Sequence, residues 1–127
     1  MQDKASVAVM AVCPNESFEV PATLEGCFWQ VGSGREAFEI IRILQVDLLL
    51  VSMELPDIDL WQFVRKVKIR DSHAKWVLLS DQLDPRQEIQ ARTLGVVRIF
   101  YTTPDIGELY EMAVRIKQNK KLHRLSS

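Results

Sequence analysis

The sequence predicts a doubly wound α/β domain, a parallel sheet with helices on both faces, and three observations carry that prediction. Apolar runs without alternation, above all Leu48 to Val51 within VDLLLVSMELPDIDL, are the pattern of strands buried on both faces, which belong to parallel sheets. Each run ends in a loop with a capping residue and is followed by apolar positions at helical spacing, as Asp59 precedes Leu60, Phe63, Val64 and Val67. Strand and helix patterns then alternate along the chain, which calls for right-handed crossovers.

Taken in order, Ser6 to Cys13 (SVAVMAVC) reads as the first strand, closed by Pro14 and Asn15. The next connection leaves two alternatives, because Pro21 is excluded from a helix interior: a short helix starting near Pro21, or a largely irregular segment ended by Gly26. Cys27 to Val31 reads as a short strand with Trp29 partly exposed. Gly32, Ser33 and Gly34 form a turn into a helix over about Arg35 to Leu44, with Ala37, Phe38, Ile41 and Leu44 as its apolar stripe. These glycines are a turn and not a phosphate cradle, since no GxGxxG or GxxxxGK[ST] occurs in the chain. The central strand leads to a helix over about Asp59 to Ile69, and Trp76 to Ser80 is the fourth strand. Asp84 caps a helix that has Pro85 in its first turn and is closed by Gly95. Val96 to Tyr101 reads as the last strand, and Thr103 or Asp105 caps a final helix with Pro104 in its first turn. The predicted strand order is flavodoxin-like, 2-1-3-4-5, and in such sheets the loops at the carboxyl ends of the strands form the ligand crevice. Ser52 to Asp57 should lie there.

Composition narrows the function classes. The chain has 127 residues, 47% of them hydrophobic and 26% charged, enough for one compact core. A net charge of −1 and a pI near 6.1 give no global reason to bind nucleic acid or anionic membrane. Cys13 and Cys27 lack metal-ligand or CxxC spacing and read as reduced, structural thiols. No apolar run spans a bilayer and MQDKAS is not a signal peptide, so a cytoplasmic protein is expected. Residues 1–118 are expected to form the domain and 119–127 a basic, polar tail or linker; the run from Lys117 would extend the last helix, as a link to an output domain or as a frayed end.

Over nearly its whole length this punctuation resembles the receiver domain of bacterial two-component response regulators. The receiver pattern around the third strand is an apolar stretch, a phosphoacceptor Asp, two residues, an apolar residue, Pro, two residues, Asp and Gly. Here LLLV is followed by Ser52, Met53, Glu54, Leu55, Pro56, Asp57, Ile58, Asp59 and Leu60. GSGREAF before the second helix, Ser80 ending the fourth strand, Asp84, Ala91, Gly95 and Pro104 add to the likeness.

The departures bear on chemistry. The resemblance puts Ser52 at the phosphoacceptor position, where it cannot form the acyl phosphate of an Asp. It puts Ala11 and Val12 where two acids would help to hold Mg²⁺, and no acid occurs from Ala5 to Asn15. It puts Thr103, or Thr102 given one inserted residue, in place of the phosphate-binding lysine. The chain thus resembles a degenerate pseudo-receiver. Ser80 with Phe100 or Tyr101 corresponds to the hydroxyl and aromatic of the receiver switch, here reduced to packing and a local hydrogen bond.

Glu54, Asp57, Asp81 and Asp84 lie in loops at the carboxyl ends of strands, but without an acid on the first strand a metal cage is lopsided, and helix capping and loop solvation account for them. No metal and no cofactor are expected. Ser52 has no GxSxG elbow, and His73 and His123 lie away from it, so a nucleophile is not supported.

The expectation is therefore a non-enzymatic, phosphorylation-independent module in two-component-type signal transduction or its regulation. The resemblance implies a protein partner or a homodimer through the fourth helix, fifth strand and fifth helix, with Arg86, Gln90, Arg92, Arg98, Tyr101, Glu108, Glu111 and Arg115 as face residues. The alternative is a small α/β enzyme or ligand-binding domain using the crevice around Ser52; an enzyme predicts a concave polar site there, a module a crevice filled by apolar side chains. A nucleic-acid role rests only on the short basic tail, without interleaved aromatics, and is not expected of this domain. No membrane role is expected.

Overall fold

The computed structural model describes residues 7–126, with side chains through residue 119. Five strands form one parallel sheet in the order β2-β1-β3-β4-β5, as the alternation predicts. They are β1 (Val9–Val12), β2 (Phe28–Val31), β3 (Leu48–Ser52), β4 (Trp76–Leu79) and β5 (Ile99–Phe100). Four helices connect and follow them: α1 (Gly34–Ile41), α2 (Leu60–Arg70), α3 (Pro85–Thr93) and α4 (Ile106–Ser126).

The central strands are buried on both faces because their alternate residues feed two cores. Met10, Val12, Leu49, Val51, Trp76 and Leu78 face Ala37 of α1, Phe63, Val64 and Val67 of α2, and Ala91 of α3. Val9, Ala11, Cys13, Leu48, Leu50, Val77 and Leu79 face Leu109 and Ala113 of α4. This explains why the strands read as unbroken apolar runs. Trp76 is fully enclosed, and its indole N–H donates to the Leu94 carbonyl at 2.9 Å, which fixes the end of α3 against β4.

Of the two alternatives for the first connection, the irregular one is found. Pro21 precedes a single 3₁₀ turn, Ala22–Leu24, and Gly26 follows at φ +85°. Phe18 stands in for the missing helix: its ring lies 5.5 Å from that of Phe28 and packs on the α4 side of the sheet. The receiver-like fourth and fifth helices are consequently α3 and α4.

Several boundaries differ from expectation for local reasons. α1 stops at Ile41, and Leu44 is half-buried in a turn in which the Ile43 and Leu44 N–H groups both donate to the Ile40 carbonyl. β2 starts at Phe28, one residue late, and Trp29 is half-buried as expected. β5 covers only Ile99–Phe100, because the chain enters from the Gly95 turn at φ +80° and touches β4 first through one bond, Val97 N–H to the Trp76 carbonyl. Pro104 is not in the first turn of α4 but buried just before it; Asp105 is the cap, accepting the Glu108 N–H at 2.8 Å. α4 is a 21-residue helix that incorporates the backbone of the expected tail up to Ser126, while Ser127 and residues 1–6, Ser6 of the first strand among them, lie outside the described residues.

Candidate functional site

The carboxyl ends of β1, β3, β4 and β5 converge on one crevice, and the strand register determines which residues share it. Val12 pairs with Val51, so the next residue along, Cys13, sits beside Ser52. The Ser52 backbone N–H bonds to the Cys13 thiol, whose Sγ also approaches the Leu50 carbonyl at 3.9 Å. Ala11 and Val12 are fully buried and point to opposite cores, so the residue beside Ser52 is a thiol that the sequence reading had not singled out. Burial pushes the Cys13 thiol up to about 12, Glu16 adds to the rise, and the Ser52 N–H opposes it. Cys13 is thus a protonated thiol near neutral pH, without nucleophilic character.

Glu16 is the second residue missed. Its carboxylate accepts the Thr103 hydroxyl, across 87 residues of sequence, and ties the loop after β1 to the loop before α4. Gln30 braces the same loop by donating to the Cys13 carbonyl at 3.0 Å and the Glu16 carbonyl at 2.6 Å. Glu16 is the first acid downstream of β1, which was its only signal; an irregular loop gives no period from which its position follows. Thr103 thus meets a carboxylate, whereas Thr102 stays on the surface.

Ser80 is buried and its hydroxyl donates to the Gln82 carbonyl at 2.6 Å, within its own loop. Phe100 is a core residue with the Arg98 guanidinium 4.6 Å above its ring, whereas Tyr101 is exposed. Met53, directly after Ser52, is half-buried against the sheet, and its N–H donates to the Leu79 carbonyl.

The carboxylates considered as a cage are dispersed. Asp57 accepts the N–H groups of Gly34 at 3.0 Å and Arg35 at 2.9 Å, clasping the start of α1. These bonds, the Gly34 one first, hold its carboxyl below the ordinary range. Asp59 caps α2 through the Trp61 and Gln62 N–H groups, and Asp84 forms a reciprocal capping box with Gln87. Glu54 and Asp81 are exposed. Among the described residues no three His, Cys, Asp or Glu side chains gather as metal ligands would.

The expected partner face is partly occupied by the chain itself. Arg98 pairs with Glu108 at 3.1 Å, joining β5 to α4, and Arg92 pairs with Glu88 at 3.3 Å along α3. Arg86, Glu111 and Arg115 are exposed and Gln90 is half-buried. Ile89 and Val97, exposed like Tyr101, add apolar surface on α3 and next to β5 that charge reading had passed over. No helix of the described residues is long and apolar enough to cross a membrane.

No protein-family model and no curated protein sequence matches the chain. Solved structures do. The N-terminal domain of an uncharacterized protein from Wolinella succinogenes superposes with a TM-score of 0.76 at 16% identity, covering 92% of this chain and 98% of that one. A CheY-like response regulator receiver domain from Methanospirillum hungatei gives 0.69 at 12% identity, with 91% and 97% covered. The signal receiver domain of an HD domain-containing protein from Pseudomonas fluorescens gives 0.71 at 15% identity, with 94% and 93% covered. Strand order, helix placement and these superpositions agree: the chain has the CheY-like, flavodoxin-type fold of response regulator receiver domains.

Proposed function

We propose that this chain is a pseudo-receiver, a non-enzymatic module of two-component-type signal transduction or its regulation that acts through protein contacts and without phosphorylation. One observation supports the reading: Ser52, which the resemblance puts at the phosphoacceptor position, ends β3 beside a protonated Cys13 thiol, and Thr103, its lysine-equivalent, is already bonded to Glu16. A phosphoryl group placed there would find no metal cage among the described residues, and the Glu16 carboxylate, near enough to raise the neighbouring Cys13 thiol, would oppose its charge. Cavities of about 330, 420 and 440 Å³ lie along α1 and α2, and Ser52 lines none of them. The Ser80 hydroxyl, turned to Gln82, and the core position of Phe100 leave the switch pair a structural part.

The contact face of this reading is α3, β5 and α4, for a protein partner or a second copy, with exposed Ile89, Val97 and Tyr101 supplying the apolar centre and Arg86, Glu111 and Arg115 the rim. The described domain is taken to end near residue 118, with the remainder of α4 as a connector.

The test is a titration with Mg²⁺ and beryllofluoride, an acyl-phosphate mimic, read by amide chemical shifts. A flat response at Ser52, Ser80 and Thr103 is expected. Saturable shifts clustered at those three residues would overturn the reading. In parallel, Ile89→Asp with Tyr101→Asp should abolish any self-association or partner capture measured by sedimentation.

A further inference from the structure

Three cavities of about 330, 420 and 440 Å³ adjoin along the groove between α1 and α2; the first and second have Arg42 in common, the first and third Arg70, and the second and third Phe38 and Lys66. The floor is apolar, with Phe38, Ile58 and Val67 in it. Ile43 and Ile69 stand on its edges at 85% and 86% exposure, the highest of any large apolar residues described. At one end, Gly34, Asp57 and Ile58, it adjoins the loop after β3 that borders the crevice, and none of it belongs to the α3, β5 and α4 face.

The charge on the groove leans positive: Arg35, Arg42, Lys66 and Arg70 line it against Glu39, Asp57 and Asp71. α2 carries Arg65, Lys66, Lys68 and Arg70 and not a single acid, in a chain whose net charge is −1. Among the described residues, Arg42, Lys66 and Arg70 have no ion-pair partner. Three carboxylates also line the groove. Asp57 is held by the Gly34 and Arg35 N–H groups and Asp71 by the His73 N–H, and Glu39 stands on the α1 wall, so the positive excess of the lining is a single charge.

We infer that this groove docks an acidic amphipathic helical segment of a partner protein. Helix-in-groove recognition needs an apolar trough with complementary charge on its rim, and both are present here. An occupant of about three turns would match the 11 residues of α2. Its apolar stripe would lie on Phe38 and Ile58 between Ile43 and Ile69, and its acids would meet Arg42, Lys66 and Arg70. Nucleic acid fits less well because the floor is aliphatic, with its one ring, Phe38, half-buried.

The probe is a synthetic helical peptide of about 18 residues with Leu at i, i+4 and i+7 and Glu on its flanks, long enough to hold a helix. Binding to the full chain is read by fluorescence polarisation and by amide shifts. Expected are shifts confined to α1 and α2, an affinity that falls as salt rises, and a loss of about tenfold or more in Arg42→Glu/Lys66→Glu. Ile69→Ser, which removes an exposed side chain and leaves the fold intact, should weaken binding as well, whereas Ile89→Ser on the other surface should not. Equal binding of a Lys-flanked peptide, shifts outside the groove, or no binding would overturn the inference. So would binding of phosphatidylserine vesicles or duplex DNA at α2 in preference to the peptide.

Discussion

The substitution Gly34→Ala tests the latch that fixes the β3–α2 loop against α1. Gly34 opens α1, and its N–H is held by Asp57. A Cβ added there would lie 2.6 Å from Ile58 Cγ2 and 3.1 Å from Phe63 Cδ1. The Phe63 ring cannot yield, being fully buried and packed on Phe38 with centroids 5.1 Å apart; the half-buried Ile58 must move. Overpacking of this kind costs about 1–3 kcal/mol. Replacing glycine at an ordinary φ returns about 0.4–1 kcal/mol by restricting the unfolded chain. A net loss of about 1–2 kcal/mol follows, a fall of roughly 0.5–1 M in the urea midpoint, readable through the fluorescence of Trp29, Trp61 and Trp76. Ile58→Ala removes the methyl group that the new Cβ strikes, so the double variant should be about 1 kcal/mol more stable than the two single losses predict. A Gly34→Ala protein as stable as the parent, or strictly additive effects, would refute the close packing at this junction.

Two further outcomes follow from the electrostatics. Asp57 titrates below its ordinary value of 3.8 in the folded chain, so its stabilisation is complete above that pH and is lost as pH falls through the lower folded value. Asp57→Asn should therefore cost well under 1 kcal/mol near neutral pH, given the exposure of the side chain. The gap between Asp57→Asn and parent in urea unfolding should narrow as the pH is taken below 3.8, and a gap independent of pH would refute the assignment. Cys13, with its thiol pushed up to about 12 and its side chain buried, should resist iodoacetamide in the native protein and react once the protein is unfolded in urea; rapid native alkylation, located by peptide mapping, would contradict its placement beside Ser52.

What could be read from the sequence was what is encoded locally. Asp59 and Asp84 stand one residue before their helices and cap them, Gly95 adopts the positive φ that ends α3, and the apolar runs become the central strands because both faces of the sheet are covered. Period alone does not separate a helix from the turn after it, and so the predicted α1 runs on to Leu44, which is half-buried in the turn beyond the helix. The β-branched and aromatic run from Val96 to Tyr101 overstated β5, since propensity does not say where an edge strand begins to pair. The site lay further out of reach. Cys13 meets Ser52 only through the register of two strands, and Glu16 meets Thr103 across the whole fold; neither relation leaves a spacing signal.

Those same long-range relations give the crevice its physical character. A cluster of carboxylates around Ser52 would repel itself without a cation, which is why charge alone cannot be added to such a site piecemeal. Here four of the acids near the carboxyl ends of the strands are spent on the chain's own backbone or hydroxyl groups, Asp57 on α1, Asp59 on α2, Asp84 on α3 and Glu16 on Thr103, while Glu54 and Asp81 face solvent. Each of these bonds joins a loop to a helix start or to another loop, so the groups that in a charged site would respond to a ligand instead hold the loops in one arrangement. A crevice built this way has little left to move, and it favours a module whose output is set by which surfaces it presents. The two surfaces with unspent groups are the Ile89, Val97 and Tyr101 face and the cationic groove of α1 and α2, and partner choice should therefore divide between them.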